Sequence, residues 1–246
     1  MFQTERIEAI TNILKKNGYV TVKYLMEELH YSNATIHRDL VLMERQKLVK
    51  RSYGGVELLE EQSVPVPFRY HKMKSVKNKI GQKAAEFVSD GDIIFVDAGT
   101  TTEYMGRHLI DKKDITVITN NMALVMFLSQ YQIHAICLGG SVVEPPNMLM
   151  GAETMENAMH YHVDKVFFST ASVSMEGVIG DTDLYYFLRH IMLENAKQRF
   201  YLADHDKVDK PYTRVHRLSE GDFMITDYRF SAETKEKYTY LHFVEV

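Results

Sequence analysis

Residues 92–102, Asp-Ile-Ile-Phe-Val-Asp-Ala-Gly-Thr-Thr-Thr, restrict what this chain can fold into more than any other stretch. Four apolar residues, Ile93 to Val96, read as a short buried strand. The strand stops at Asp97 and Gly99, three hydroxyls follow at Thr100, Thr101 and Thr102, and a helical pattern begins at Glu103. A strand that turns through small polar residues into a helix leaves free N–H groups at the helix start, where an anion can bind. The alternation continues downstream. Strand-like runs at 115–118, 135–138, 166–168, 200–202 and 223–225 are interleaved with helical patterns at 103–110, 122–129, 154–161 and 184–196, and 241–246 reads as a last strand. This order predicts a Rossmann-like, largely parallel α/β sheet covered on both faces.

In such sheets ligands bind beyond the carboxyl ends of the strands. The ends here are Asp97-Ala-Gly-Thr-Thr-Thr102, Thr119-Asn-Asn121, Gly139-Gly-Ser141, Ser169-Thr-Ala-Ser172 and Ala203-Asp-His-Asp-Lys207. All five are small and polar. The residues expected to hold an effector are Asp97, Gly99, Thr100, Thr101, Thr102, Thr119, Asn120, Gly139, Gly140 and Lys207. Glycines let backbone N–H groups approach an anion, hydroxyls donate, Asp and Asn hold sugar hydroxyls, and Lys207 neutralises phosphate. Together they predict a pocket for a small phosphorylated molecule.

The N-terminal part has a different period. Ile7, Ile10, Ile13 and Leu14 recur at helical spacing and Asn17-Gly18 ends that helix. Val22, Leu25, Met26 and Leu29 form a second stripe behind Thr21 as N-cap, and Ser32 caps a third helix whose core stripe is Ile36, Leu40 and Met43. At about 100° per residue, Ala34, Arg38, Val41 and Arg45 point the other way, flanked by Thr35 and His37. Residues 48–52 and 56–59 read as a basic hairpin around Tyr53-Gly-Gly55. Three short helices plus a hairpin form a winged helix-turn-helix. Such a helix can enter the major groove while Lys50 and Arg51 meet phosphates. A small helical protein–protein module is the other reading of the same pattern.

Charge bears on that choice. The formal net charge is −4, yet residues 1–55 carry nine Lys/Arg against six Asp/Glu, and the remainder twenty against twenty-seven. A basic head on an acidic body suits a polyanionic partner. Polar Glu60–Pro67, with two prolines, reads as a joint. Beyond it Arg69, His71, Lys72, Lys74, Lys77 and Lys79 form a basic run, facing either phosphates or solvent. No apolar run reaches about 18 residues and the N-terminus lacks a signal peptide's apolar stretch, so a cytoplasmic protein without membrane contact is expected. One cysteine, Cys137, rules out an internal disulfide and a multi-cysteine zinc site. His160 and His162 are spaced wrongly for one helix face, and the phosphate-loop and dinucleotide fingerprints are absent. No metal and no cofactor are expected.

Tyr31-Ser-Asn-Ala-Thr-Ile-His-Arg-Asp-Leu-Val-Leu-Met-Glu44, with Leu48-Val-Lys-Arg51 and Tyr53-Gly-Gly-Val56, resembles the DNA-binding domain of DeoR-family bacterial transcription regulators. His37 stands where the family usually has Arg, and Tyr53 where it often has His. The resemblance implies DNA contacts from Ser32, Asn33, Ala34, Thr35, His37, Arg38, Lys50, Arg51 and Tyr53. Residues 91–102, 116–120, 138–140, 164–167, 176–177 and 202–207 resemble the family's effector domain, which shares its fold with ribose-5-phosphate isomerase and CoA transferases. Two departures are Ser169–Ser172, where the family often has Gly-x-Asp-Gly, and Val143, where an Arg commonly follows the glycine pair.

The expected organisation is therefore an N-terminal winged helix-turn-helix, 1–57, a linker, 58–79, and a ribose-5-phosphate isomerase- or CoA transferase-like α/β effector domain, 80–246. The resemblance implies a repressor of carbohydrate genes that binds double-stranded operator DNA under the control of a phosphorylated sugar. One small head favours a homodimer or homotetramer on repeated half-sites. The rival is a sugar-phosphate isomerase with an accessory head. That chemistry needs a carboxylate base, and the slot holds Ala171 and Ser172, although Asp97 and Asp204 remain.

Overall fold

Helical periodicity at one end and strand alternation at the other separate the chain into two units, Met1–Arg69 and Tyr70–Val246. The structure is a computed structural model and describes residues 3–46, 48–52, 55–58, 73–144, 148–174, 178–181, 183–210 and 214–246.

In the head, α1 (Gln3–Asn17), α2 (Val22–Leu29) and α3 (Asn33–Arg45) enclose the expected core. Ile10, Leu14, Leu25, Ile36, Leu40 and Met43 are buried. Each boundary has a local cause. Gly18 takes φ 70° after α1, the Thr21 side chain accepts from Tyr24 N at 3.1 Å, and Ser32 caps α3. Strands β1 (Val20–Thr21), β2 (Val49–Ser52) and β3 (Gly55–Leu58) form a sheet in the order β1-β3-β2, with β2 and β3 antiparallel as the wing. Asp39 is fully buried on α3, and Arg6 of α1 grips it with Nε at 2.6 Å and Nη2 at 3.0 Å. This bidentate pair fixes the angle between α1 and α3.

The body is built on seven parallel strands in the order β15-β14-β12-β9-β4-β5-β6. They are β4 (Ile93–Val96), β5 (Thr116–Thr119), β6 (His134–Cys137), β9 (Val163–Ser169), β12 (Ala196–Ala203), β14 (Phe223–Thr226) and β15 (His242–Glu245). Alternation in the sequence becomes two cores. Ile94, Val96, Phe167 and Phe200 pack beneath α4 (Lys74–Glu86) and α5 (Met122–Gln130). Phe95, Val166, Phe168 and Tyr201 pack on the other face, with α6 (Ala152–Met159) and α7 (Asp183–Glu194). Successive residues serve opposite faces because the strand repeat is two. A short helix, α8 (Ala232–Lys237), precedes β15.

Three features depart from the sequence expectations. The segment after Thr101 is a 3-10 helix, Thr102–His108, because Thr102 bends the first turn back onto the strand end. A hairpin, β7 (Ser141–Glu144) with β8 (Met148–Met150), stands outside the main sheet. A second small sheet joins β10 (Ser172–Ser174), β11 (Val178–Asp181) and β13 (Arg214–Arg217). The basic run after the joint, within the stretch 58–79 read as a linker, can be read as the start of a helix running on through Ile80 to Val88. The structure has α4 there, and its Lys77 is only 3% exposed.

Candidate functional sites in the head and the body

The head presents α3 outward as the pattern required. Ser32, Asn33, Ala34, Arg38, Val41 and Arg45 are exposed, and Thr35 and His37 are half-buried. Side-chain accessibility of 67% leaves Lys50 in solvent, with Glu57 at 4.0 Å across the hairpin. Arg51 is expected to contact DNA, and in the structure it also has partners within the head. Its side chain turns toward α3, placing Nη2 at 3.0 Å from His37 Nδ1 and Nη1 at 3.7 Å from Glu44 Oε2. Tyr53 lies outside the described residues, as do Arg69, His71 and Lys72 of the basic run.

In the body, Asp97 is the centre of the strand-end loop. It is 5% exposed. Its Oδ1 accepts from Gly99 N at 3.1 Å and from the Thr102 hydroxyl, and its Oδ2 accepts from Ser169 N at 3.0 Å. Arg189 Nη2 lies 3.9 Å from Oδ2 and donates to Ser169 O at 2.6 Å. Burial pushes the Asp97 carboxyl up to about 6, against the opposing pull of Arg189, Thr102 and the two N–H groups. Sequence reasoning assigned Asp97 to ligand hydroxyls. Its oxygens also tie β4, the loop and β9 together. Gly99 is required for this closure, since a Cβ there would stand 2.1 Å from Ser169 Oγ.

Thr102 and Thr119 are also structural. Thr102 Oγ1 donates within the loop, and Thr119 Oγ1 donates to Val96 O at 2.6 Å while accepting from Asn121 N at 3.0 Å. Thr100 is placed differently. Its Oγ1 takes a 3.0 Å hydrogen bond from Lys77 Nζ, which joins α4 to the loop. The basic run therefore turns one lysine inward, toward the candidate pocket. Thr101 is buried at 4% exposure. Gly139 and Gly140 have φ 77° and 107°. Thr154 Oγ1 donates to Gly139 O at 2.7 Å, and a Cβ on Gly140 would lie 2.2 Å from that same hydroxyl. Lys207 ends a short 3-10 turn, His205–Lys207, beyond β12.

What remains at these strand ends is unusual. Asn120 Oδ1, Thr170 Oγ1, Ser172 Oγ and Asp204 Oδ1 are all buried and have no hydrogen-bond partner among the described residues. Asn120 follows β5, Thr170 follows β9, Ser172 opens β10, and Asp204 follows β12. Strands β12, β9, β4 and β5 are consecutive in the sheet, so Asp204, Thr170 and Asn120 follow three of four neighbouring strands whose outer pair lies roughly 14 Å apart at about 4.8 Å per strand. Ser172 comes two residues after Thr170. Buried oxygens of this kind are costly unless water or a ligand satisfies them. A polar cleft of about 290 Å³ lies elsewhere on the body, lined by Tyr186, His190, Arg199 and His216. It holds none of these hydroxyls.

Sequence reasoning missed Arg189, Lys77 and Ser169. Arg189 had one signal: it occupies a buried position beside Leu188 and Met192 on α7, where a charge must have a partner. No helix among the described residues is long and apolar enough to cross a membrane, and no group of three or more His, Cys, Asp or Glu there is arranged to hold a metal ion.

A winged helix-turn-helix whose third helix presents small, hydroxyl and basic groups defines a DNA-binding regulator, here joined to a parallel α/β domain. Residues 6–62 match the sequence profile of the DeoR-like helix-turn-helix domain, and residues 72–228 that of the DeoR C terminal sensor domain. The chain belongs to the DeoR family of transcriptional regulators. It is 33% identical over 231 residues to the HTH-type transcriptional repressor GlcR of Bacillus subtilis (strain 168), covering 92% of this chain and 89% of that protein. It is 29% identical to the lactose phosphotransferase system repressor of Lactococcus lactis subsp. lactis, covering 97% and 96%. Among solved structures, eIF2B delta from Chaetomium thermophilum aligns with a TM-score of 0.50 at 11% identity, over 80% of this chain and 62% of that one. Ribose 5-phosphate isomerase from Plasmodium falciparum aligns with a TM-score of 0.42 at 14% identity, over 55% and 53%.

Proposed function

We propose that this protein is a cytoplasmic repressor of carbohydrate genes, acting as a homo-oligomer, whose hold on operator DNA is released by a phosphorylated sugar. The observation that carries the effector reading is the set of four buried oxygens without partners among the described residues: Asn120, Thr170 and Asp204 just after β5, β9 and β12, and Ser172 at the start of β10. Acceptors and hydroxyls in that row suit the hydroxyls of a sugar. Phosphate is assigned to the Thr100–Thr101 turn, with Lys77 and Lys207 supplying charge. The relatives named as repressors support the sign of regulation, and the lactose phosphotransferase repressor supports a sugar-derived signal.

The body is read as a sensor without catalysis. A base must be free to take a proton; the Asp97 oxygens accept from Gly99, Thr102 and Ser169. The second carboxylate, Asp204, is read here as an acceptor for sugar hydroxyls, so a turnover assay is what separates sensor from enzyme. Release of DNA requires the ligand to prefer the DNA-incompetent arrangement. A tenfold loss of operator affinity corresponds to about 1.4 kcal/mol of coupling.

The test is a thermal-shift screen of pentose and hexose phosphates, with inorganic phosphate as control, on wild type, Asp204→Asn and Lys207→Ala. A hit is then titrated against operator DNA. Hits are expected to stabilise wild type more than either variant and to weaken operator binding. Equal stabilisation of all three proteins removes the strand-end site. Isomerisation of any sugar phosphate, followed by NMR, removes the sensor-only reading.

A further inference from the structure

The wing carries two adjacent cations that face opposite ways. Val49 and Arg51 share one side of β2, and Lys50 and Ser52 the other, as a strand requires. The inward Arg51 meets α3 at two points, His37 Nδ1 at 3.0 Å and Glu44 Oε2 at 3.7 Å. A guanidinium offers donors only. His37 Nδ1 is therefore the acceptor, and the neutral imidazole carries its proton on Nε2. Nε2 has no partner among the described residues, and His37 is half-exposed in the first half of α3. That half of a recognition helix is the part that reaches base edges.

We infer that Arg51 is a positioning residue for base recognition: it holds His37 in the tautomer and orientation that present Nε2–H to an acceptor in the major groove. The inference rests on the reading of α3 as the recognition helix. The acceptors within its chemistry are guanine N7 or O6, adenine N7 and thymine O4. Arg51 is a poor phosphate ligand in this arrangement. One of its faces is taken by His37, and Glu44 offsets its charge. Lys50, on the outer face of the same strand, is the wing's phosphate contact. His37 thus does more than replace a cation. A short ring in a fixed tautomer reads one acceptor, and it needs the wing to hold it.

The experiment selects bound duplexes from a randomised DNA pool with the full-length protein and its variants, then measures affinity for the selected sequence against salt. Wild type is expected to prefer one base at one position of each half-site through His37. Arg51→Met, which keeps the packing volume, is expected to lose that preference while the slope of log affinity against log salt stays unchanged. His37→Asn retains an acceptor near the Nδ1 position but no outward donor, and is expected to lose about tenfold in affinity for the favoured base. His37→Gln places an amide donor near the Nε2 position and is expected to keep the preference in part. If Arg51→Met lowers the salt slope by about one unit and keeps the base preference, Arg51 is a phosphate ligand and the inference is overturned. If His37→Asn and Arg51→Met both select the wild-type sequence with wild-type discrimination, it is equally overturned. If wild type selects no sequence at all, the recognition-helix reading fails first. Thermal melting of each variant separates these outcomes from misfolding.

Discussion

The head and the body hold their polar groups under opposite physical conditions. On α3 and the wing, Asn33, Arg38, Arg45 and Lys50 stand in solvent. At the strand ends of the body, Asp97, Thr101, Thr102, Asn120 and Asp204 are each at most 5% exposed. Solvated charges interact weakly with their neighbours and stay available for a polyanion. Buried polar groups must be satisfied internally or by a ligand. Substitutions on the outer face of α3 and at Lys50 should therefore change binding and leave the fold alone, whereas substitutions at the strand ends should reach the fold before they reach the ligand.

The sharpest break of that comparison is Asp97→Ala. It removes the acceptor for Gly99 N, the Thr102 hydroxyl and Ser169 N, and the carboxylate 3.9 Å from buried Arg189. Deleting one member of a buried ion pair costs about 3 kcal/mol or more. The melting temperature of the body should fall by roughly 6–12 °C. Asp97→Asn, which keeps shape and acceptor, should fall by less. If Asp97→Ala melts with wild type, buried polar wiring does not hold this loop.

Arg38→Ala is the counterpart in the head. Arg38 is exposed on the outward face of α3 and is absent from the core. If it reads a guanine, its loss should cost about 1–3 kcal/mol in operator affinity. Its effect on melting should stay within about 0.5 kcal/mol. Fluorescence titration and a thermal melt on the same protein check both halves. A variant that melts early without losing affinity would place Arg38 with the structural residues.

The two regions were also unequally legible. Ile36, Leu40 and Met43 at helical spacing placed the core side of α3, and Arg38 followed from geometry alone. Four apolar residues before Asp97 placed β4 with its observed ends. These features are local, so the sequence carries them. The duty of Asp97 is not local. Its partners Ser169 and Arg189 lie 72 and 92 positions away, and only the sheet order brings β4 beside β9. Lys77 was hidden for the same reason. In a run of lysines nothing marks the one that turns inward to Thr100. In the wing, strand alternation gives Lys50 and Arg51 opposite faces, so the shared DNA-contact expectation divides there into an outward and an inward cation. Strands β7, β10, β11 and β13 escaped notice because each carries at most two apolar residues, against the four of β4, too few to stand out as a buried run.

Protonation tests the buried side of the comparison. Burial lifts Asp97 from its ordinary 3.8 to about 6. Between those values the folded state holds a proton that the unfolded chain has released. Stability therefore falls as pH rises through this window, and the loss is complete above about 6. Lowering the pH from about 7 to about 5 should raise stability by roughly 1 kcal/mol through this group. Asp222, also raised by burial, acts in the same direction. The difference between wild type and Asp97→Asn isolates the Asp97 share. Urea melts at the two pH values should show a larger gain on acidification for wild type than for Asp97→Asn. Equal gains would mean that Asp97 is ionised throughout.

The smallest effect on the fold is expected at Lys50, and it sharpens the contrast most. Lys50 and Arg51 are neighbours on one strand, yet only Lys50 faces away from α3. Its partner Glu57 is 4.0 Å away, and both side chains are exposed, at 67% and 45%. An exposed pair of this kind contributes about 0–1 kcal/mol, so Lys50→Ala should leave the melting curve nearly unchanged. Its operator affinity should fall at low salt, and the slope against log salt should drop by about one unit, as for one lost phosphate contact. Glu57→Gln should shift affinity the other way, because it removes the anion nearest to that lysine. Arg51→Met beside it should leave the slope intact. If Lys50→Ala keeps the wild-type slope, the wing does not reach the phosphates, and exposure of a cation in this head does not by itself identify a DNA contact.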